Sequence, residues 1–193
     1  MQKSLKINNK AFIIYKLFNS LFLGVSIGAV FTIYEPLEPT IYSVGGIALA
    51  IGMLIIAKFY HKILNINYFF IISLIVEFIV LILLIFFLIF KYNYQTALLI
   101  YIGYQITFIF GSYLVRVETL VINDNNILTK IDMAKQIGYL IGMGTSYITY
   151  KLLEKIYFIE DAKEQVYLIH FLLIFIELLV LFFLIKSFKK TYQ

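Results

Sequence analysis

Two carboxylates stand where hydrocarbon should surround them. Glu77 is the one charge in LIVEFIVLILLIFF (74–87), and Glu177 opens ELLVLFFLI (177–185). A charged side chain at the centre of a membrane helix costs roughly 2.5–3.5 kcal/mol on insertion scales. Three kinds of chemistry can keep a glutamate there: proton coupling, a hydrogen-bonded anchor between helices, or a neutral acid tolerated against lipid. Anchoring ranks first and proton coupling second. Ser73 lies one turn before Glu77, and His170, seven residues before Glu177, shares its face or caps the outer end of its helix.

Weaker polar groups recur at helical spacing. Tyr15, Asn19 and Ser26 share one face, and Tyr101, Gln105, Ser112, Arg116 and Thr119 follow steps of 4, 7, 4 and 3. Polar side chains in a bilayer must face protein or a water-filled cavity, so these stripes predict a cavity or interhelical hydrogen bonds. Asn19, Ser26, Gln105, Ser112 and Arg116 are the candidate substrate-binding residues. Arg116 is read either as a cavity cation or as a side chain reaching the interface beside Glu118. Other chemistry is thinly represented. There is no Cys, hence no disulfide or thiolate, and His61 and His170 are too far apart to suggest a metal site. No HExxH occurs, no GxSG accompanies a His, and the acids are not clustered, so neither an enzyme nor a cofactor is expected.

The elements that position these residues are membrane spans. The 193 residues are 62% hydrophobic and 14% charged, more apolar surface than a water-soluble domain of this size can hide. About 20 apolar residues cross about 30 Å of hydrocarbon, and six stretches qualify: 12–34, 41–59, 68–90, 95–121, 133–150 and 166–186. Tyrosines sit at their ends, as interfacial rings do. The N-terminus resembles a signal peptide, but its apolar run has no small-residue cleavage site before Glu35 and reads as a retained first span.

Of the 16 Lys and Arg, all but Lys91, Lys151, Lys155 and Lys163 fall on the side of the two termini. That bias predicts both termini in the cytoplasm, with the chain in a bacterial cytoplasmic (inner) membrane. The net charge of +5 is therefore topological and does not signal nucleic acid.

Comparison of the two halves suggests a repeat. Shifted by 90, IALAIGM (47–53) falls on IGYLIGM (137–143); shifted by 100, EFIVLILLI (77–85) falls on ELLVLFFLI with both glutamates aligned. Three spans per copy give opposite orientations, a 3+3 inverted repeat with copies at about 12–90 and 95–186. Chance similarity is the competing reading. Small residues concentrate in spans two and five. Gly24–Gly28 and Gly138–Gly142 have GxxxG spacing, and these four with Gly52 are the expected helix-packing positions. Spans three and six are the oiliest and are expected to face lipid.

This layout resembles the amino-terminal six-helix half of a major facilitator superfamily transporter. GMLIIAKFYHK between spans two and three offers Gly52, Lys58 and Lys62 to the family's signature, without its Asp and second Gly. Arg116 stands where the family often has a fourth-helix Arg, and AKQIGYLIGMG (134–144) is similar to its glycine-spaced fifth helix. The resemblance implies that spans one and four line a substrate cavity and that spans three and six lie outside. It also implies a small-molecule solute moved by alternating access. A complete member has about twelve spans, so a half must form a homodimer, pair with a partner subunit, or be a relic. The alternatives are a non-transporting structural or accessory subunit and, disfavoured by the repeat, a substrate-capture subunit of a vitamin importer. The sum is an all-α polytopic membrane protein, one transmembrane domain over residues 1–193.

Overall fold

The computed structural model describes residues 3–90 and 92–192. Lys91, counted above on the minority side of the charge bias, lies outside the described residues. The chain runs β1 (Lys3–Ile7), α1 (Asn9–Tyr34), α2 (Pro39–Lys58), α3 (Tyr60–Ile63), α4 (Ile66–Ile89), α5 (Tyr94–Phe108), α6 (Gly111–Ile122), α7 (Asn125–Lys155), α8 (Ala162–Ser187) and β2 (Phe188–Tyr192). It is an all-α membrane-protein fold with one small terminal ribbon. Five segments are long and apolar enough to cross a membrane: α1, α2, α4, α5 with α6, and α8.

Short polar side chains start these helices. Asn65 accepts from the amides of Asn67 and Tyr68 at the head of α4, and Asn93 from Thr96 at the head of α5. Asp124 accepts from Asn126 and Ile127 before α7, and Asp161 from Lys163 before α8. Each occupies one of the amides that a helix N-terminus leaves unpaired. Pro39 starts α2, where a missing amide costs nothing.

Asp124 has a further effect. The segment INDNNILTKID, polar enough to read as a loop, is helical from Asn125 onward. Only Asn123 and Asp124 separate α6 from α7, and Asn123 turns the chain with φ 41° in the left-handed region. As a result α7 is 31 residues long but too polar to count among the five apolar segments.

Span four is not one helix. At its middle the Phe110 amide bonds the Thr107 carbonyl (3.1 Å), one residue short of the α-helical partner, while the Thr107 hydroxyl bonds the Tyr104 carbonyl (2.8 Å). A threonine that returns its hydroxyl to the preceding turn bends a helix. The bend lies at Ile109 and Phe110, and Leu114 resumes the α ladder.

α1 is the central post. It packs along α7 and α8; α4 packs against α8, α5 and α6; and α2 touches α5 and α6. The buried face of α1 carries Phe12, Tyr15, Phe22, Val25, Ala29 and Ile33. The oiliest helices are not the most outward. α8 buries Ile169, Leu173, Ile176, Val180 and Leu184, whereas α2 has no buried residue at all. The difference follows from the inward glutamate faces, which bring α4 and α8 together and leave only their Ile/Phe stripes outside.

The ribbon was not foreseen from the sequence. β1 and β2 pair antiparallel, Ile7 with Phe188 through Lys3 with Tyr192. The Asn8 amide continues the ladder to the Ser187 carbonyl at 2.8 Å. Below it Phe12, Phe69 and Phe188 form an aromatic cluster with centroids 5.5–6.3 Å apart, which ties α1 and α4 to β2. KSLKI and FKKTY are short and lysine-rich, so composition alone gives them little strand signal. Their pairing arises from tertiary proximity.

Candidate functional site

The site is a half-open cavity of about 320 Å³ lined by α1, α4, α5 and α6. Helical spacing puts Tyr15, Asn19, Ser26 and Tyr34 on its α1 wall, and Glu77 with Val76 and Val80 on its α4 wall. The broken span supplies Tyr104, Thr107, Phe108, Gly111 and Leu114, so the bend opens directly onto the cavity.

Glu77 is the polar centre. It is 4% exposed, and its Oε1 accepts the Tyr15 hydroxyl at 2.7 Å and the Asn19 amide at 3.0 Å. Tyr15 and Asn19 are one helical turn apart on α1 and grip the same oxygen, which aims the carboxyl group across the α1–α4 seam. Glu177 lies on the buried face of α8, which packs against α4, close enough to Glu77 for the two carboxyl groups to act on each other electrostatically. Glu177 has no exposed surface, and neither of its oxygens has a protein donor.

A second polar group adjoins the first at the end of the cavity. Lys16, next to Tyr15, pairs with Glu118 of α6 at 2.6 Å. Glu118 also takes Lys135 of α7 at 2.6 Å, and Lys135 reaches the exposed Asp132 at 3.2 Å. The Lys16 ammonium lies over the Phe12 and Tyr15 rings at 5.3 and 5.1 Å. Asp132, Lys135, Glu118, Lys16, Tyr15, Glu77 and Glu177 therefore form a string from the protein surface to the middle of the bundle. Sequence reading missed Lys16, Glu118 and Lys135. The available signal was that a lysine at position 16, within the first span, needs a buried acid.

The candidate binding residues separate into three places. Asn19 and Ser26 line the central cavity, with the Ser26 hydroxyl bonded to its own helix at Leu23. Gln105 lines an apolar pocket of about 360 Å³ between α2 and α5, where its carbonyl oxygen is buried without a partner. Ser112 and Arg116 are exposed in a shallow groove beside Tyr60, the guanidinium 5.7 Å from the ring centroid. On span four, the face toward α1 is that of Tyr104, Thr107 and Gly111, whereas the Tyr101–Gln105–Ser112–Arg116 stripe faces α2 and outward. Ser73 is buried without a hydrogen bond and does not reach Glu77. His170 is buried, stacked on Phe87 at 4.0 Å and bonded to the Val166 carbonyl, one full turn away.

Four glycines bring α1 and α7 together. A Cβ on Gly142 would lie 3.0 Å from the Gly24 Cα and closer still to the Leu21 carbonyl, and one on Gly138 would strike the Leu17 carbonyl. Gly28 makes room for the Tyr150 ring, and Gly52 of α2 for the side chain of Ile109 at the bend. The two GxxxG motifs thus pack against each other, backbone on backbone. No group of three metal-ligating side chains occurs among the described residues. Comparison of the chain with protein-family models, curated proteins and solved structures finds no match.

Proposed function

We propose that this protein is a six-span carrier unit, similar in plan to half of a major facilitator transporter. It moves a small solute through the central cavity by alternating access after joining a second copy or a partner half. The observation that carries this reading is a buried carboxyl group held by Tyr15 and Asn19 in the wall of a mid-bundle cavity, beside a broken helix. Broken helices and polar groups at membrane depth belong where a cavity is lined, since lipid cannot satisfy them.

Packing supports the inverted repeat. Exchanging the first three spans with the last three turns the α1–α7 contact into that of the broken span with α2, and α1–α8 into that of the broken span with α4. The α4–α8 contact maps onto itself, and both helices bury their glutamate. The halves differ in tightness: α7 is locked to α1 by glycines, whereas α2 stands off from α5 across the apolar pocket. A two-repeat carrier closed on one side and open on the other has this asymmetry.

The terminal ribbon bears on the number of crossings. Pairing of β1 with β2 supports an even number of crossings, since both ends then lie on one side of the bilayer. On this reading α7 joins the five apolar segments as a sixth span, its glycine face lying on α1. Lysine bias supports a cytoplasmic side for the paired ends, in a bacterial inner membrane.

The absence of any buried residue on α2 favours a partner, and it also supports a second reading as an accessory subunit of a membrane complex. The chain lacks cysteine, so introduced thiols are unique probes. Gly46→Cys and Gly144→Cys, both at positions with open space, are expected to cross-link into a dimer or to a partner in membranes. Ser26→Cys in the cavity is expected to label from both faces of the membrane. A strictly monomeric protein whose cavity thiol labels from one face only under every condition overturns the carrier reading.

A further inference from the structure

The ionic inventory of the cavity is lopsided. Of its two charged side chains, Lys16 is already neutralised by Glu118 at 2.6 Å. Glu77 makes no ion pair with any described residue, although the Lys16 charge acts on it from a distance: its hydrogen bonds come from a phenol and a carboxamide, both on one oxygen. Behind it, fully buried, stands a second carboxyl group with no protein donor on either oxygen. The remaining wall is aromatic, with Phe22, Tyr34, Tyr104 and Phe108 around the space. A carboxylate floor under aromatic faces is the environment that attracts an organic cation, because ring faces carry negative charge density and the carboxylate supplies the counter-ion. A bare metal ion is a poorer fit, since hard cations need six or more oxygen ligands and most of this wall is carbon, with the Ser26 and Thr107 hydroxyls bonded to their own helices.

Resting on the carrier reading above, we infer that the solute is a small organic cation of the quaternary-ammonium or protonated-amine class, bound against Glu77 in exchange for one proton of the two buried carboxyl groups, Glu77 and Glu177. The charge balance is simple. With the cavity empty, the two carboxyl groups carry one proton between them, and the pair has one negative charge. When one monovalent cation enters, that proton leaves to water, and the second carboxylate charge offsets the cation. The exchange is one for one and leaves the net charge in the bundle unchanged. The groups facing this pair are Tyr15 and Lys16 of α1, Tyr104 of α5 and Glu118 of α6. Since Lys16 and Glu118 neutralise each other, the pair itself is the group left to exchange.

The test is calorimetric titration of the full chain in detergent with choline and with its uncharged isostere 3,3-dimethyl-1-butanol. Phosphate and HEPES buffers, which differ in ionisation enthalpy, report the proton. Choline is expected to bind at least tenfold more tightly than the alcohol, releasing about one proton per cation. Glu77→Gln is expected to lose choline binding at least tenfold, and Glu77→Asp to retain part of it. Equal binding of the two probes, choline binding without proton release, or Glu77→Gln binding choline like the parent chain would each overturn the inference. Absence of choline binding at millimolar concentration would do the same. If Glu77→Gln fails to fold, the comparison of isosteres on the unaltered chain still decides. Should choline fail while cross-linking and two-sided thiol labelling succeed, the organic-cation inference falls and the carrier reading stands.

Discussion

Gly142→Ala adds one methyl group to α7, and the structure states where it goes. The new carbon would sit 3.0 Å from the Gly24 Cα and 3.1 Å from the Leu21 carbonyl carbon, with the Leu21 oxygen nearer still. Ordinary carbon–carbon contact is about 3.5–4.0 Å, so α1 and α7 must part by roughly half an ångström to an ångström. All of these are backbone atoms, so no side chain can rotate away. Overpacking of this kind costs about 1–3 kcal/mol. The helix propensity of Ala over Gly returns at most about 1 kcal/mol. Gly144 lies on the same helix two residues on, and a Cβ there meets nothing within 4 Å. Gly144→Ala should therefore be neutral or stabilising. Thermal unfolding in detergent, followed by circular dichroism, separates the two: a chain of this size shifts by about 2–4 °C per kcal/mol. Gly142→Ala should melt several degrees below Gly144→Ala. Equal melting temperatures would refute the backbone-on-backbone contact of α1 with α7.

Other consequences follow from the charges. Glu118→Ala strands Lys16 and leaves Lys135 with Asp132 alone, and losing one partner of a buried pair costs about 3–5 kcal/mol; melting should drop far more than in Glu160→Ala, an exposed acid. Lys6 stands opposite Lys189 across the ribbon. Lys6→Glu turns a repulsive cross-strand pair into an attractive one, worth about 0.2–1 kcal/mol, and should raise amide protection at residues 5–7. At the end of α7 the Lys151 ammonium bonds Glu154 at 2.6 Å, which holds that carboxyl below the usual carboxylate range and the ammonium above the usual lysine range. This contribution is fully present between the two ordinary values. It is lost as pH falls through the lowered Glu154 value or rises through the raised Lys151 value, and hydrogen exchange at residues 151–155 should quicken on both sides.

Legibility from sequence followed the physical signal in each segment. Spans with a continuous apolar run, such as 68–90 and 166–186, were placed within a few residues, because hydrocarbon length constrains them strongly. The polar start of α7 was not, since INDNNILTKID looks like a loop unless Asp124 is recognised as a cap. The bend at Ile109 and Phe110 contains no Pro, and the hydroxyl of Thr107 and the glycine that follows, Gly111, are its faint marks. The pairing of Glu77 with Glu177 is legible in the sequence, but that both face inward depends on how two helices a hundred residues apart pack. The stripe on span four was correct as a periodicity. Its direction was not legible, because the same spacing can face α1 or α2, and here Gln105 and Arg116 face α2 and the outside.

The partners of α1 come late in the chain. α7 begins at Asn125, α8 ends at Ser187, and β1 pairs with the residues that follow it. During synthesis at about 5–20 residues per second, the first helix waits on the order of ten to thirty seconds for the strand and helices that enclose it. Early in that interval Tyr15 and Asn19 have no Glu77 and Lys16 has no Glu118, and until α7 is made the glycine face has no partner. The birth of this protein therefore includes a stage in which a polar first helix stands incomplete, and that stage ends only when the last strand closes the ribbon.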